Sequence, residues 1–151
     1  MYESCSTRFD TADITVLAAA VADYRPAAPA SEKIKKNGEH LTLELTRTHD
    51  IAAELGKRKR DDQLIVGFAL ETNNERANAL KKLSAKNFDL IVLNSLQDEG
   101  AGFGHDTNKV TIIDKLEHAT TFDLKDKSAV ANDIVDALLG YSRQRSTITE
   151  L

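Results

Sequence analysis

The chain has 151 residues, of which 41% are hydrophobic and 29% are charged, a composition typical of one globular domain. Its 24 acidic residues outnumber its 20 basic residues, and the formal net charge of −4 argues against a surface that binds nucleic acid or a membrane, because such surfaces usually carry a basic excess. No apolar run approaches the roughly 20 residues of a membrane span, no signal peptide is visible, and the single cysteine, Cys5, excludes a disulfide framework, so we expect a cytoplasmic protein.

Apolar runs alternate with helical patterns along the chain. Runs without period-two alternation, as in strands covered on both faces, occur at 14–22, 64–70 and 89–96. Periodic patterns that predict helices occur at 50–60, 73–87 and 128–143. This alternation predicts an α/β fold, with three Rossmann-like layers around a mixed, mainly parallel sheet.

Two stretches depart from this pattern. Residues 40–46 alternate between polar and apolar, which predicts a half-exposed strand. Residues 109–114 and 119–124 are separated by four residues, which predicts an antiparallel hairpin that extends the sheet. The tail at 144–151 is predicted to be frayed, which leaves 1–143 as the folded part.

Polar residues precede two of the predicted helices. Asp50 suits the N-cap of the helix at 50–60, and Asn73 or Asn74 suits the N-cap of the helix at 73–87. The sequence therefore predicts side-chain capping at both helix entries.

A lysine cluster follows the first predicted strand. Lys33, Lys35 and Lys36 lie beyond a loop that contains both prolines of the chain, Pro26 and Pro29. Open α/β sheets bind ligands beyond the carboxyl ends of their strands, so this loop is a candidate to close over phosphates; a solvated surface loop is the alternative. Because no G-x-G-x-x-G or P-loop motif occurs, either phosphate is bound differently or the opening unit lies upstream.

Further candidates lie on the second predicted strand and the helix after it. Phe68 offers a flat face on which a base can stack, or is ordinary core. Lys82 and Lys86 are one helical turn apart, and they either add two cations for a polyphosphate or form a solvated face. His105 and Asp106 have no further ligand at a suitable spacing, so we predict no metal site.

Five motifs together resemble one family. They are "AAAVADYRPA", "EKIKK", "VGFALETNN", "NFDLIVLNSL" and "GAGFGHDTNKVTIID". Their order resembles that of the bacterial phosphopantothenate–cysteine ligase domain, the synthetase half of the bifunctional coenzyme A biosynthesis flavoprotein. The resemblance implies that the carboxylate of 4′-phosphopantothenate attacks the α-phosphate of CTP, with Mg²⁺ accompanying the nucleotide. The amine of cysteine then displaces CMP from the acyl-cytidylate.

The same resemblance implies roles for individual residues. Lys33 matches the essential flap lysine of the family, a catalytic residue. The residues that match nucleotide-binding positions of the family are Asp23, His49, Asp50, Ile51, Ala52, Phe68, Lys82 and Lys86. His49 stands where the family usually has proline, so this turn departs from the family pattern.

The resemblance also bears on domain organisation and partners. The family's glycine-rich opening and catalytic asparagine lie upstream, and "MYESC" is similar to the middle of a family helix. Residues 1–143 are therefore expected to be the C-terminal part of the ligase domain, inactive alone, without the flavin-binding decarboxylase half of the full-length protein and without bound FMN. The family is dimeric, and the hairpin at 109–124 is the expected contact region of a homodimer.

Two other classes of function remain open from the residues. A Rossmann-type oxidoreductase that uses a nucleotide or flavin predicts a glycine fingerprint and an acidic ribose ligand about 20 residues later, and the sequence has neither. A non-catalytic interaction module would use the lysines only as a charged surface.

Overall fold

The computed structural model describes residues 1–35, 38–95 and 104–149, with side chains described through residue 145. The helices are α1 (Tyr2–Phe9), α2 (Ile51–Arg58), α3 (Glu75–Ala85) and α4 (Lys127–Thr149). The strands are β1 (Ile14–Leu17), β2 (Tyr24–Pro26), β3 (Leu45–Arg47), β4 (Leu64–Glu71), β5 (Leu90–Ser95), β6 (Thr107–Asp114) and β7 (Ala119–Asp126). None of the described helices is both long enough and apolar enough to cross a bilayer.

A five-stranded sheet in the order β1-β4-β5-β6-β7 organises the chain. β1, β4 and β5 pair in parallel, whereas β6 and β7 pair antiparallel, as the hairpin pattern predicts. The parallel strands β4 and β5 arise from the runs LIVGFAL and LIVLNS, whose β-branched and leucine side chains suit burial on both faces. The predicted α/β fold with a mixed sheet and a hairpin extension is confirmed.

Three helices cover one face of this sheet. Phe9 of α1, Leu55 of α2 and Leu83 of α3 pack with Ile65 and Ile91 of the sheet in one buried cluster. Because helices α2 and α3 connect parallel strands, they return over the same face of the sheet. This arrangement positions the N-terminus of α2 near the carboxyl ends of β1 and β4.

The fourth helix covers the opposite face. Val130, Ile134 and Leu138 of α4 recur at helical spacing and are buried against Val66 and Val92 of the sheet. The two core clusters on opposite faces confirm the predicted three layers.

Two predicted strands are shorter than the sequence indicates. The first spans only Ile14–Leu17 and is half-exposed, because β1 is the outer strand of its sheet and α4 does not cover it. The stretch 40–46 forms a strand only from Leu45, and β3 pairs with β2 in a separate two-stranded antiparallel ribbon. Pro26 and Pro29 remove N–H donors from the partner segment, which limits the length of this ladder.

The helix ends also differ in part from the predictions. Asp50 caps α2, since its Oδ1 accepts from the Ala53 amide at 3.0 Å. Asn74 occupies the N-cap of α3, as predicted, with a left-handed φ of 48°. Its side chain accepts no hydrogen bond from a helix amide, so the prediction that the Asn74 side chain caps the helix is wrong. α4 continues through Thr149, beyond the predicted start of a frayed tail at 144.

Candidate functional site

A cavity of about 360 Å³ opens at the carboxyl ends of β1 and β4. Eight of the nine predicted site residues line it: Asp23, His49, Asp50, Ile51, Ala52, Phe68, Lys82 and Lys86. They come from the loop after β1, the entry of α2, strand β4 and helix α3. The fold thus brings together residues that are far apart in the sequence.

The parallel pairing of β1 with β4 creates the mouth of this cavity. Both strands end at the same edge of the sheet, so the loop after β1 lies beside Phe68. Thr48, just before α2, fixes that loop from the other side: its amide donates to the Asp23 carbonyl at 2.9 Å and its Oγ1 donates to the Ala22 carbonyl at 2.6 Å. The entry of α2 and the loop of β1 are therefore held together as the walls of one site.

Both lysines of the cavity are paired with carboxylates. Lys82 Nζ lies 2.6 Å from Glu71 Oε1, and Lys86 Nζ lies 3.1 Å from Asp50 Oδ2. Burial raises the pKa of Asp50, but the hydrogen bond from the Ala53 amide and the contact with Lys86 outweigh it, so this pKa lies below its ordinary value. Asp50 is thus ionised at neutral pH, and an anion entering the site must compete with these carboxylates for the lysines.

Phe68 is half-buried and divides two cavities. It packs against the core cluster beneath α4, and it also lines both the cavity with the two lysines and a second cavity of about 440 Å³ on the α4 side. The ring therefore combines the two roles considered from the sequence, since it is partly core and partly accessible to a ligand.

The sequence does not predict that helix α1 contributes to the surroundings of this cavity. The ring of His49 stacks on Tyr2, with ring centroids 4.7 Å apart and an interplanar angle of 16°. Cys5, near the N-terminus, lines the cavity that contains Lys82 and Lys86. No local signal predicts that α1 packs here. Glu71, the last residue of β4, begins the polar run ETNN and is the partner of Lys82.

The lysine loop lies apart from these residues. Lys33 and Lys35 are exposed in the segment between β2 and β3, and Lys33 does not line the cavity. Lys36 lies outside the described residues. The loop is tied at its base, where the Ala27 amide donates to the Glu44 carbonyl at 2.9 Å, and closure of Lys33 over phosphates stays a prediction.

A larger groove of about 470 Å³ lies between α4 and the hairpin. Asp114, Asp133 and Asp136 line it, so its charge does not suit an anionic nucleotide. Within the described part of the chain, no group of three or more His, Cys, Asp or Glu side chains is arranged to hold a metal ion. The cavity with two lysines is therefore the better candidate for an anionic ligand.

Comparisons with known proteins identify the family of the chain. Residues 1–141 match the family model of the DNA/pantothenate metabolism flavoprotein C-terminal domain. The chain is 52% identical over 139 residues to a cysteine/cysteine sulfinic acid decarboxylase from an unknown prokaryotic organism, covering 92% of this chain and 39% of that protein. It is 44% identical over 144 residues to the coenzyme A biosynthesis bifunctional protein CoaBC of Bacillus subtilis (strain 168), covering 95% and 35%.

Solved structures give the same result. The crystal structure of the C-terminal domain of a CoaBC protein superposes with a TM-score of 0.74 at 36% identity, covering 95% of this chain and 63% of that chain. A DNA/pantothenate metabolism flavoprotein from Streptococcus pneumoniae, at 19% identity and a TM-score of 0.73, supports the fold alone. The chain spans well under half the length of the curated relatives described above. From the family match and these relatives, the chain belongs to the family of DNA/pantothenate metabolism flavoprotein C-terminal domains.

Proposed function

We propose that this chain carries the nucleotide-binding part of a phosphopantothenate–cysteine ligase that uses CTP in coenzyme A biosynthesis. The observation that carries the proposal is the convergence of Lys82, Lys86 and Asp23 with the entry of α2 around one cavity. Relatedness to CoaBC of Bacillus subtilis supports the same reaction class. The proposed substrates are CTP, 4′-phosphopantothenate and cysteine.

The proposed reaction explains why cations are needed in this cavity. When a carboxylate attacks the α-phosphate, negative charge grows on a centre that is already anionic, and fixed cations stabilise it. Lys82 and Lys86 would supply that charge after exchanging their carboxylate partners for phosphate oxygens. Mg²⁺ would enter with the phosphates of CTP, and Asp50 is a carboxylate of the cavity that would be available to it.

The other residues of the cavity fit the remainder of a nucleotide. The accessible face of Phe68 would stack against the base, and Asp23 would accept hydrogen bonds from a sugar. Ile51 and Ala52, in the first turn of α2, present backbone amides at the positive end of the helix dipole. In this proposal Lys33 is the catalytic lysine, brought to the phosphates when the loop between β2 and β3 closes.

The proposal extends to assembly and compartment. We infer a homodimer formed through the hairpin, because β7 is an outer strand whose Leu124 is 46% exposed. Replacing Leu124 by Glu should then shift the mass measured by light scattering from dimer to monomer; an unchanged dimer would exclude this contact. We place the protein in the cytoplasm, since its single cysteine is free and a reducing compartment suits it.

A matched set of lysine variants tests the nucleotide site. Lys82→Met and Lys86→Met remove cations that line the cavity, whereas Lys81→Met removes an exposed neighbour on the same helix. We expect CTP binding, measured by calorimetry, to weaken about tenfold in the first two variants and to stay unchanged in the third. Equal effects in all three variants would mean that the lysines act only through net charge.

A second candidate function comes from the relative named as a cysteine/cysteine sulfinic acid decarboxylase, which shares 52% identity. Two activity assays on the protein as the cell produces it separate the two candidate functions. Pyrophosphate release that needs CTP, 4′-phosphopantothenate and cysteine together supports the ligase. Carbon dioxide release from cysteine or cysteine sulfinic acid, without CTP, supports the decarboxylase.

A further inference from the structure

The groove of about 470 Å³ between α4 and the hairpin has no part in the proposed ligase reaction. Leu90 at the start of β5 and Asp114 at the end of β6 line it, whereas the cavity with two lysines lies at the carboxyl ends of β1 and β4. The groove is therefore at the opposite end of the sheet, and a ligand bound there is separate from the nucleotide.

One face of α4 forms a wall of this groove. Asp133, Asp136 and Gly140 all line it and are spaced by three and four residues, so they lie on the same face of the helix. Gly140 has no side chain, and a Cβ built there meets nothing within 4 Å. The groove is thus open because this face of α4 is empty at Gly140, one turn beyond the two carboxylates.

The remaining surface of the groove is largely apolar. Leu90 and Ile112 are buried beneath it, and the rings of Phe122 and Tyr141 are half-buried at its sides. Apolar and aromatic walls with a few charged groups are typical of sites for small molecules, and a volume of this size matches such a ligand. The walls therefore suit a molecule with an apolar or aromatic body.

The carboxylates of the groove differ in how they are engaged. Asp114 serves the turn of the hairpin, where its Oδ1 accepts hydrogen bonds from two backbone amides at 2.8 and 3.0 Å. Asp133 Oδ2 lies 2.6 Å from Lys125 Nζ. Asp136, in contrast, is exposed and forms no ion pair with any residue that the structure describes. Its negative charge is available to a cation that enters the groove.

A lysine of the chain itself demonstrates how an ammonium group binds beside this groove. The Lys125 Nζ that contacts Asp133 also lies 5.0 Å from the centroid of the Phe122 ring, a distance at which the face of a ring attracts a cation. Asp133 and Phe122 both line the groove. A carboxylate and an aromatic ring of its walls thus hold one alkylammonium, and Asp136 offers a second carboxylate on the same face of α4.

We propose that the groove between α4 and the hairpin binds a small organic cation, a primary ammonium with an apolar or aromatic body. Its ammonium pairs with Asp136, and its body lies over Leu90 and Ile112 in the space that Gly140 leaves open. The unpaired carboxylate selects a cation over a neutral or anionic molecule of the same shape. This site is distinct from the proposed nucleotide site and does not depend on ligase chemistry.

The probe is 2-phenylethylammonium, titrated into the full chain and followed by the NMR signals of backbone amides. We expect saturable shifts at Thr120 and Gly140, which line the groove, and an affinity at least about tenfold higher than that of the neutral analogue 2-phenylethanol. The anionic analogue 3-phenylpropanoate should not bind. Equal affinity for the amine and the alcohol, or no saturable binding of the amine up to about 10 mM, would overturn the proposal.

Matched substitutions locate the contact. Asp136→Asn should weaken binding of the amine about tenfold, whereas Asp123→Asn removes the same charge from an exposed residue that does not line the groove and should leave binding unchanged. Gly140→Leu fills the open space and should weaken the amine and the alcohol together. Equal effects of the two Asp→Asn substitutions would show that the amine responds only to net charge, and would refute the proposal. Binding of a lysine-rich peptide through Asp136, with no binding of the amine, would refute it in favour of a protein partner.

Discussion

Gly56 of α2 sits against the end of α3 in a contact that leaves no room for a side chain. A Cβ built on Gly56 would lie 1.9 Å from the backbone carbonyl oxygen of Lys86, where real Cβ contacts are essentially never under 3.0 Å. The Asn87 Nδ2 also donates to the Gly56 carbonyl at 3.0 Å. The close approach of α2 and α3 therefore depends on glycine at this position, and the substitution Gly56→Ala must push the two helices apart by about 1 Å.

The magnitude follows from two opposing effects. Alanine gains about 1 kcal/mol over glycine in helix propensity, but overpacking a buried contact costs about 1–3 kcal/mol or more. The obstructing atom is backbone, which cannot rotate away as a side chain end can. We expect Gly56→Ala to lose about 2 kcal/mol of unfolding free energy, which lowers Tm by roughly 4–8 °C for a domain of this size.

Gly140 of α4 is the matched control. A Cβ at Gly140 meets nothing within 4 Å, so Gly140→Ala should gain about 0.5–1 kcal/mol from propensity alone. Urea denaturation and thermal melts followed by circular dichroism measure both variants. If Gly56→Ala is as stable as the unmodified chain, or shifts Tm upward together with Gly140→Ala, the argument from helix contact is wrong.

Three further predictions concern charged side chains. Asp89 is 2% exposed and accepts from Lys59 Nζ and the Ile65 amide, both at 2.8 Å, so Asp89→Ala should cost about 3–5 kcal/mol in urea denaturation; a loss below about 1 kcal/mol would contradict this. Burial is the main reason that the pKa of Lys59 falls from 10.5 to about 8. As the pH rises, the folded chain therefore releases this proton at a lower pH than the unfolded chain, and the stability of the folded chain relative to Lys59→Met should rise between about pH 8 and 10.5. Parallel curves of stability against pH for the two proteins would count against it. Glu71→Gln releases Lys82 from its carboxylate and should tighten CTP binding by at most about fivefold in calorimetry, whereas weaker binding would mean that Glu71 itself supports the ligand.

The strands that the sequence predicts well are those whose burial is set by their own residues. β4 is apolar through Leu70 and β5 is apolar through Leu93, so both the strand and its position between two helix layers follow from local pattern. The run at 14–22 has the same apolar character, yet its strand ends at Leu17, because continued pairing depends on neighbours that the local pattern does not specify. The strand predicted at 40–46 is also shorter than expected, because its partner segment is short and interrupted by proline.

The resemblance predicts which residues line the candidate cavity, but it does not predict the ion pairs that these residues form. The resemblance selects Asp23, Asp50, Lys82 and Lys86 from separate motifs, and all four line one cavity. Lys82 pairs with Glu71, 11 positions away, and Lys86 pairs with Asp50, 36 positions away. No helical or strand period in the sequence relates side chains at these separations. The same limit applies to Gly56, whose requirement for glycine comes from a carbonyl on another helix.

The paired lysines change how the proposed nucleotide site must operate. A lysine already held by a carboxylate offers an arriving phosphate only the difference between two ion pairs, so affinity is lower than for a free cation. The carboxylates, however, remain close to the lysines even when a phosphate becomes the partner of the lysines, because Asp50 is fixed by the Ala53 amide and Glu71 accepts from Asn78. Two carboxylates beside a polyphosphate repel it unless a further cation enters, which is what Mg²⁺ or Lys33 from the closing loop would supply. On this reasoning the proposed site would hold CTP firmly only when Mg²⁺ or Lys33 of the closed loop supplies that charge, and the Glu71→Gln variant should need less Mg²⁺ than the unmodified chain for half-maximal CTP binding.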